Sequence, residues 1–175
     1  MDTMVTATTT EALADRLRPE VLAAANINPT TRLATDYLNH YNNVVMLLEL
    51  VPDMPDFAEE VMGWTPVAYD EYFRTSHFRE RDLAIAAHAA ADPAIRADFD
   101  AVVTHLDCAM AEALDLVARF DPADPAAGER LRELVGGRLK PGIAAASAVI
   151  NGPTLTHSAT TEADEAQAAV DELFP

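Results

Sequence analysis

The chain has 175 residues and a formal net charge of −17, from 29 Asp and Glu against 12 Lys and Arg. Half of the residues are hydrophobic, which argues against global disorder, and 34 are Ala, the residue with the highest helix propensity. The charge argues against nucleic acid and anionic membrane as partners, because binding to either uses Lys and Arg to neutralise phosphates.

The first 25 residues divide into a tail and a helical segment. Residues 1–10 are polar, Thr-rich and aperiodic, which predicts a mobile tail. From residue 11, apolar residues recur at helical spacing, and Pro19 divides this segment into a short helix and a following turn or second helix. Pro29 then stops the helical pattern. We expect residues 11–152 to form a single helical domain.

The pattern predicts a central helix over residues 30–51, with Thr30 or Thr31 as its N-cap. Its second half, Val44 to Val51, is apolar on nearly every side. A helix of that kind is typically surrounded by other helices.

A repeated start signal, a capping residue followed by Pro, marks the later helices. The pairs Thr65-Pro66, Asp92-Pro93 and Asp124-Pro125 predict helices over 66–75, 93–120 and 125–135. Pro55 predicts the start of a short helix that runs to Met62, and Ser76 is expected to cap a helix over 77–91. The pair Gly136-Gly137 is expected to end the helix over 125–135. Pro141 then predicts the start of a helix to Ile150, which Asn151-Gly152-Pro153 ends. No run of alternating apolar and polar residues predicts a sheet.

These elements predict an all-α fold. We expect a bundle of about three long helices, 30–51, 77–91 and 93–120, wrapped by shorter helices that begin at Pro. Residues 153–160 form a polar linker, and Thr161-x-x-Asp164 resembles a capping box before a last helix, 161–175, that packs on the same domain.

Aromatic and acidic residues are concentrated in one part of the chain. Eight of the eleven aromatic residues lie between Tyr37 and Phe78, and from Leu33 to Phe73 there are eight acidic residues and no Lys or Arg. One interpretation is an aromatic core with a solvated acidic face. The other is an acidic, aromatic-walled cleft that attracts a cation or a basic partner.

Two pairs of His and carboxylate suggest a metal site between helices 30–51 and 77–91. Asp36 and His40 are four residues apart, His77 and Glu80 three apart, and Glu49 lies among aliphatic residues. Such pairs on two bundle helices could hold a divalent transition metal. The alternatives are that His40 and His77 are structural, and that Glu49 either lies in an exposed notch or, if it is buried, pairs with an Arg of another helix such as Arg79 or Arg81.

Two further groups of polar residues are weaker candidates. His105, Cys108 and Glu112 share one side of the longest helix, opposite its apolar stripe, where solvent or an oligomer contact is expected. Arg74, Arg79 and Arg81 alternate with aromatic residues, yet neighbouring acids favour ion pairs within the chain. The chain contains none of the usual zinc, phosphate-loop or serine-hydrolase motifs.

Two functions of different classes therefore remain. The first is a non-catalytic helical interaction or accessory protein, which self-associates through Ala faces such as Ala84, Ala87, Ala91 and Ala144, Ala145, Ala148. The second is a metal-dependent bundle protein, whether enzyme, sensor or store, that uses Asp36, His40, Glu49, His77 and Glu80. A single Lys among many Ala and Arg is typical of a GC-rich bacterial genome. We expect a cytoplasmic protein, because the single Cys108 cannot form an intramolecular disulfide and no apolar segment reaches bilayer length.

Overall fold

A computed structural model describes residues 14–152 of the chain. Of these residues 73% are helical and none lies in a strand, which confirms the all-α prediction. In chain order the helices are α1 (Pro19–Ala24), α2 (Asn39–Leu50), α3 (Ala58–Met62), α4 (Tyr69–Thr75), α5 (Arg81–Ala89), α6 (Pro93–Ala118), α7 (Pro125–Leu134) and α8 (Lys140–Asn151). The predicted tail 1–10, linker 153–160 and helix 161–175 lie outside the described residues.

Two of the predicted helix starts have the geometry that the sequence indicates. The carboxylates of Asp92 and Asp124 accept hydrogen bonds from the amides of Ala94 at 2.7 Å and Ala126 at 3.0 Å, with Pro in the first turn of each helix. These bonds satisfy amides that no helical carbonyl can reach. They fix the N-terminal ends of α6 and α7.

The predicted helix over 30–51 is shorter in the structure. A 3-10 turn, Thr35–Leu38, precedes α2, and Arg32 has a φ of 61°, which ends any helical path through residue 32. The carboxamide of Asn28 accepts from the amides of Thr30 at 2.8 Å and Thr31 at 2.9 Å. This side chain closes a turn that competes with helix formation, so neither Thr is an N-cap.

The predicted helix over 77–91 is also shorter, because α5 covers only Arg81–Ala89. The hydroxyl of Ser76 accepts from the amide of Phe78 at 3.2 Å, which makes a local turn instead of a helix cap. Helix α4 likewise begins at Tyr69, after residues 66–68. Among the described residues α6 is the longest helix, with 26 residues, whereas α2 has 12 and α5 has 9, so the predicted bundle of three long helices is not confirmed.

Helix α7 ends at Leu134, within one residue of the predicted end, but Gly136-Gly137 does not stop the helical path of the chain. A π-helical turn, Val135–Leu139, connects α7 directly to α8. Glycine tolerates a helical backbone as well as a left-handed one, so a Gly pair does not by itself stop a helix. The chain leaves α8 at Gly152, whose φ of 72° is the conformation that the Asn-Gly-Pro end signal predicts.

Helix α6 runs through the core and α8 packs along it. Phe99, Leu106 and Met110 of α6 are at most 1% exposed, and α2 contributes Tyr41 and Leu48 to the same core. Helix α5 packs against this core through Leu83, Ala84 and Ala87, and Ala91 lies just after the helix. Ala84, Ala87 and Ala91 are at most 5% exposed, so this predicted self-association surface is instead used within the molecule.

No helix of the described residues combines the length and the apolar composition needed to cross a bilayer.

Candidate functional site

Two depressions meet along the exposed side of α2, and we call them together the α2 groove. The larger has a volume of about 770 Å³ and lies between the connection from α1 to α2 and the segment that joins α4 to α5. The smaller, of about 310 Å³, lies between α2 and α3. Both are lined by Asn39, Asn43 and Tyr72, which makes them parts of one elongated surface.

The charged and aromatic lining of the groove comes from several elements. In the larger depression it consists of Asp36, Tyr72, His77, Phe78, Arg79 and Glu80, and in the smaller of His40, Glu60, Trp64 and Tyr72. The groove therefore carries three carboxylates and one Arg. It has the acidic, aromatic-walled character of one of the two interpretations, while Tyr37, Tyr41, Tyr69 and Phe73 are buried, as the other interpretation, an aromatic core, expects.

Asp36 and Tyr72, which both line the larger depression, are hydrogen-bonded to each other. The Tyr72 hydroxyl donates to the Asp36 carbonyl oxygen at 2.9 Å and lies 3.1 Å from Oδ2, while the Asn39 carboxamide donates to Oδ1 at 3.1 Å. Burial, followed by the neighbouring Asp36 carboxylate, raises the pKa of Tyr72 to about 12. Tyr72 is therefore a protonated donor at neutral pH, and it holds the carboxylate of Asp36 in place.

His40 connects α2 to the residues that follow α3. Its Nε2 lies 2.9 Å from the carbonyl oxygen of Thr65, and because a carbonyl only accepts, Nε2 carries the proton and donates. The ring stacks on Trp64 with centroids 4.9 Å apart. Burial lowers the pKa of His40, although the Thr65 bond opposes that shift. His40 is therefore a neutral ring with a structural partner on each side.

The five residues of the predicted metal site are spread over three places. Asp36, His77 and Glu80 line the larger depression and His40 the smaller one. Glu49 lies outside the groove. Within residues 14–152, no three His, Cys, Asp or Glu side chains lie close enough together to hold a metal ion. A metal site built from these five residues stays a prediction, and the geometry of the described residues does not favour it.

Glu49 is exposed on α2, and its partner differs from the one predicted. Its Oε1 accepts from the Nζ of Lys140 at 2.5 Å, across the junction between α2 and α8. Glu49 therefore has the exposed position that one alternative expects, and the pairing with Arg79 or Arg81 expected for a buried Glu49 does not occur. Lys140 reaches this position because the helical path continues from α7 into α8. The sequence pattern predicts a break at Gly136-Gly137 and therefore does not indicate this contact.

The cluster of Arg residues is largely neutralised within the chain, as predicted. Arg74 pairs with Glu71, and Nε of Arg79 lies 3.7 Å from Oε1 of Glu80. Both pairs are exposed to solvent, where ion pairs contribute little to stability. The Arg79 side chain is 95% exposed, so it remains accessible at the edge of the groove.

The face of α6 that carries His105, Cys108 and Glu112 is exposed, as the pattern predicts. Glu112 pairs with Arg138 from the π-helical turn. His105 donates from Nδ1 to the carbonyl oxygen of Ala101 at 2.7 Å within its own helix. Each of these two side chains thus has a partner of its own, and the face brings no three ligands together.

Sequence patterns missed a second pocket on the other side of Tyr37. His88 has only Ala residues as its immediate neighbours in the sequence, yet its Nδ1 lies 2.8 Å from Oδ1 of Asp70. Likewise, the Tyr41 hydroxyl donates to Oδ1 of Asp107 at 2.8 Å. These pairs join residues 18 and 66 positions apart, so no helical spacing could have shown them.

Comparison of the chain with protein-family models, with curated proteins and with solved structures gave no match.

Proposed function

We propose that this chain is a non-catalytic interaction protein whose α2 groove binds an extended, basic segment of a partner protein. The observation that carries the proposal is the pair Asn39 and Asn43, which are exposed one helical turn apart and line both depressions. The proposal includes a cytoplasmic location, for which the support is a single exposed cysteine with no second cysteine in the chain.

Asn side chains suit the backbone of an extended peptide. A carboxamide has donors on its nitrogen and an acceptor oxygen, which complement the C=O and N–H of a peptide bond. Asn43 makes no side-chain hydrogen bond to the residues 14–152, so both of its functional groups remain accessible to a bound chain. Asn39 uses one donor on Asp36 and keeps its oxygen for a ligand.

The charge of the groove favours a basic segment over an acidic one. Asp36, Glu60 and Glu80 line it, and the net charge of −17 extends the attraction for positive ligands beyond the groove itself. Arg79 at one edge offsets part of this charge and favours one orientation of a bound segment. Such steering raises association rates and falls with ionic strength.

Aromatic rings in the groove suit the side chains of Lys and Arg. Tyr72, Phe78 and Trp64 are partly buried, and each exposes part of a ring to the groove. The aliphatic stems of Lys and Arg pack on such rings, and their cationic ends are attracted to the ring faces. The groove therefore offers separate contacts for the backbone and for the side chains of the same segment.

The proposal is tested with short labelled peptides of defined sequence, measured by fluorescence anisotropy. A peptide that alternates Lys and Ala is expected to bind, and one that alternates Glu and Ala is not. Asn43→Ala should weaken binding about tenfold, since it removes the hydrogen bonds that a bound backbone would make. Asn42→Ala is the matched control, because Asn42 is exposed on α2 outside the groove lining.

Two results would contradict the proposal. Equal binding of the Lys and Glu peptides would mean that the charge of the groove does not select its ligand. Equal loss of affinity in Asn43→Ala and Asn42→Ala would mean that binding does not use the groove. Circular dichroism of each variant checks that the helical fold is retained.

A further inference from the structure

We propose that a second pocket, beside α6, binds a small aliphatic diamine in its diammonium form. This α6 pocket has a volume of about 390 Å³ and lies between α6, α5 and the N-terminal end of α4. It is separate from the α2 groove, and Tyr37 and Tyr72, whose ring centroids are 5.5 Å apart, stand between the two. The inference therefore does not depend on the function proposed for the groove.

One face of α6 supplies the carboxylates that the ligand needs. Asp100, Val103, Thr104 and Asp107 all line the pocket, at the spacing that places residues on one side of a helix. Asp100 and Asp107 are two turns apart, about 10 Å along the helix axis. Two carboxylates at that separation favour a ligand with two cationic ends over one with a single charge.

Asp70 of α4 adds a third carboxylate from the opposite wall. No Lys or Arg of the described residues lines this pocket, and the side chain of Asp100 has no hydrogen-bond partner among them. An ammonium group only donates hydrogen bonds, and a carboxylate only accepts them. The lining is therefore complementary to amines and unsuited to anionic ligands.

The inner wall of the pocket is aromatic. The rings of Tyr37, Tyr69 and Phe99 form a triangle with centroid separations of 5.3 to 5.7 Å, and all three side chains are at most 5% exposed. Because the protein covers these rings almost completely, they form the base of the pocket, and the methylene groups of a ligand would contact the accessible parts of Pro66, Val67 and Val103. Carboxylates and apolar side chains in one pocket match the two parts of an aliphatic diamine.

Hydrogen bonds from the protein hold two of the carboxylates in place before a ligand arrives. The Tyr41 hydroxyl donates to Asp107, and because burial raises the pKa of Tyr41 above its ordinary value, this donor keeps its proton. His88 donates from Nδ1 to Asp70. The other ring nitrogen of His88, Nε2, is buried and has no partner within residues 14–152, although buried polar atoms in proteins are nearly always paired.

A metal ion suits the pocket less well than an amine. Within the described residues no group of three His, Cys, Asp or Glu side chains has the spacing of a metal site, and this holds for the residues of this pocket. Its carboxylates are spread around a volume that a diamine can span. Small-molecule pockets in proteins commonly begin at about 300 Å³, so the volume is sufficient for a short ligand.

Calorimetric titration with 1,4-diaminobutane tests the inference, with 1,4-butanediol as the uncharged probe of the same chain length. The diamine is expected to bind saturably and the diol not to bind. Asp100→Asn should weaken diamine binding about tenfold, since it removes one carboxylate and leaves the shape of the pocket intact. Asp98→Asn is the matched control, because Asp98 is an exposed residue of α6 outside the pocket lining.

Three results would overturn the inference. Absence of saturable diamine binding to the wild-type chain would exclude the site. Equal binding of diamine and diol would show that the carboxylates do not select the ligand. Equal weakening by Asp100→Asn and Asp98→Asn would show that the amine responds to the overall negative charge and not to the pocket. Asp100→Asn should leave peptide binding in the α2 groove unchanged, which separates the two proposals.

Discussion

His40 and Trp64 hold each other through two different contacts. Their rings stack with centroids 4.9 Å apart and planes inclined by 27°, and Nε1 of Trp64 donates to the carbonyl oxygen of His40 at 3.1 Å. A third contact, from His40 to the Thr65 carbonyl, lies one residue further along the chain. Together they attach the chain that follows α3 to the first turn of α2, which forms the wall of the smaller depression.

This relationship predicts that His40→Ala destabilises the fold. The substitution removes the stack and leaves the carbonyl oxygen of Thr65 without its donor, so the free energy of unfolding should fall by about 1–2 kcal/mol. Urea unfolding followed by circular dichroism measures it. Asn42→Ala serves as the control, because Asn42 is exposed on the same helix and the change to Ala favours helix. An unchanged midpoint for His40→Ala would show that these contacts contribute nothing to stability.

The stability of the wild-type chain should also depend on pH through His40. Its pKa in the folded state is lowered from the ordinary 6.5, chiefly by burial. Between the two pKa values the unfolded chain binds more protons than the folded one, so stability falls as pH falls below about 6.5. Because carboxylates titrate as well, the measured quantity is the difference between wild type and His40→Gln. That difference should shrink from pH 7.5 to pH 5.5, and a constant difference would contradict the expected shift.

The sequence shows local signals well and contacts between distant residues poorly. The caps at Asp92 and Asp124 and the left-handed Gly152 depend on a few neighbouring residues, so their patterns could be recognised. A turn is found where the sequence predicts a helix start, because the side chain of Asn28 accepts a hydrogen bond from the amide of Thr31, three residues later. The pocket beside α6 depends on His88 meeting Asp70, a contact that only the packing of α4 on α5 creates.

Gly136, in the π-helical turn before α8, and Gly152, at the end of α8, give opposite predictions for Gly→Ala substitutions. A Cβ at Gly136 would have no other atom within 4 Å, and the residue lies in a helical turn, so Gly136→Ala should stabilise the fold by about 0.5–1 kcal/mol. Gly152 has a φ of 72°, so Gly152→Ala should destabilise it by about 1 kcal/mol. Thermal unfolding of both variants measures the contrast. A Gly136→Ala variant less stable than wild type would mean that the π-helical turn requires glycine.

Thr31 is a buried polar residue that ties the first connection to the end of α8. It is 2% exposed, and its hydroxyl donates to the carbonyl oxygen of Ile150. Thr31→Val keeps the shape of the side chain but leaves that carbonyl unpaired, which should cost about 1–3 kcal/mol of unfolding free energy. Thr30→Val, at an exposed position next to it, should change the free energy by less than about 0.5 kcal/mol. Equal effects of the two substitutions would contradict a role for the Thr31 hydroxyl.

The Ala content predicts self-association, and of the two Ala faces that the sequence indicates, the structure leaves the one on α8 accessible. Ala144, Ala145 and Ala148 are exposed there, whereas Ala84, Ala87 and Ala91 are buried within the molecule. If α8 is the contact, sedimentation equilibrium at tens of micromolar should give a mass above 18.9 kDa. Because two acidic chains repel each other, the associated fraction should rise with salt. Ala145→Arg should return the chain to a monomer, while Ala126→Arg, at an exposed position of α7, should not. A monomeric mass for the wild-type chain at all salt concentrations would contradict this prediction. The α2 groove would then have to bind its partner as part of a monomer.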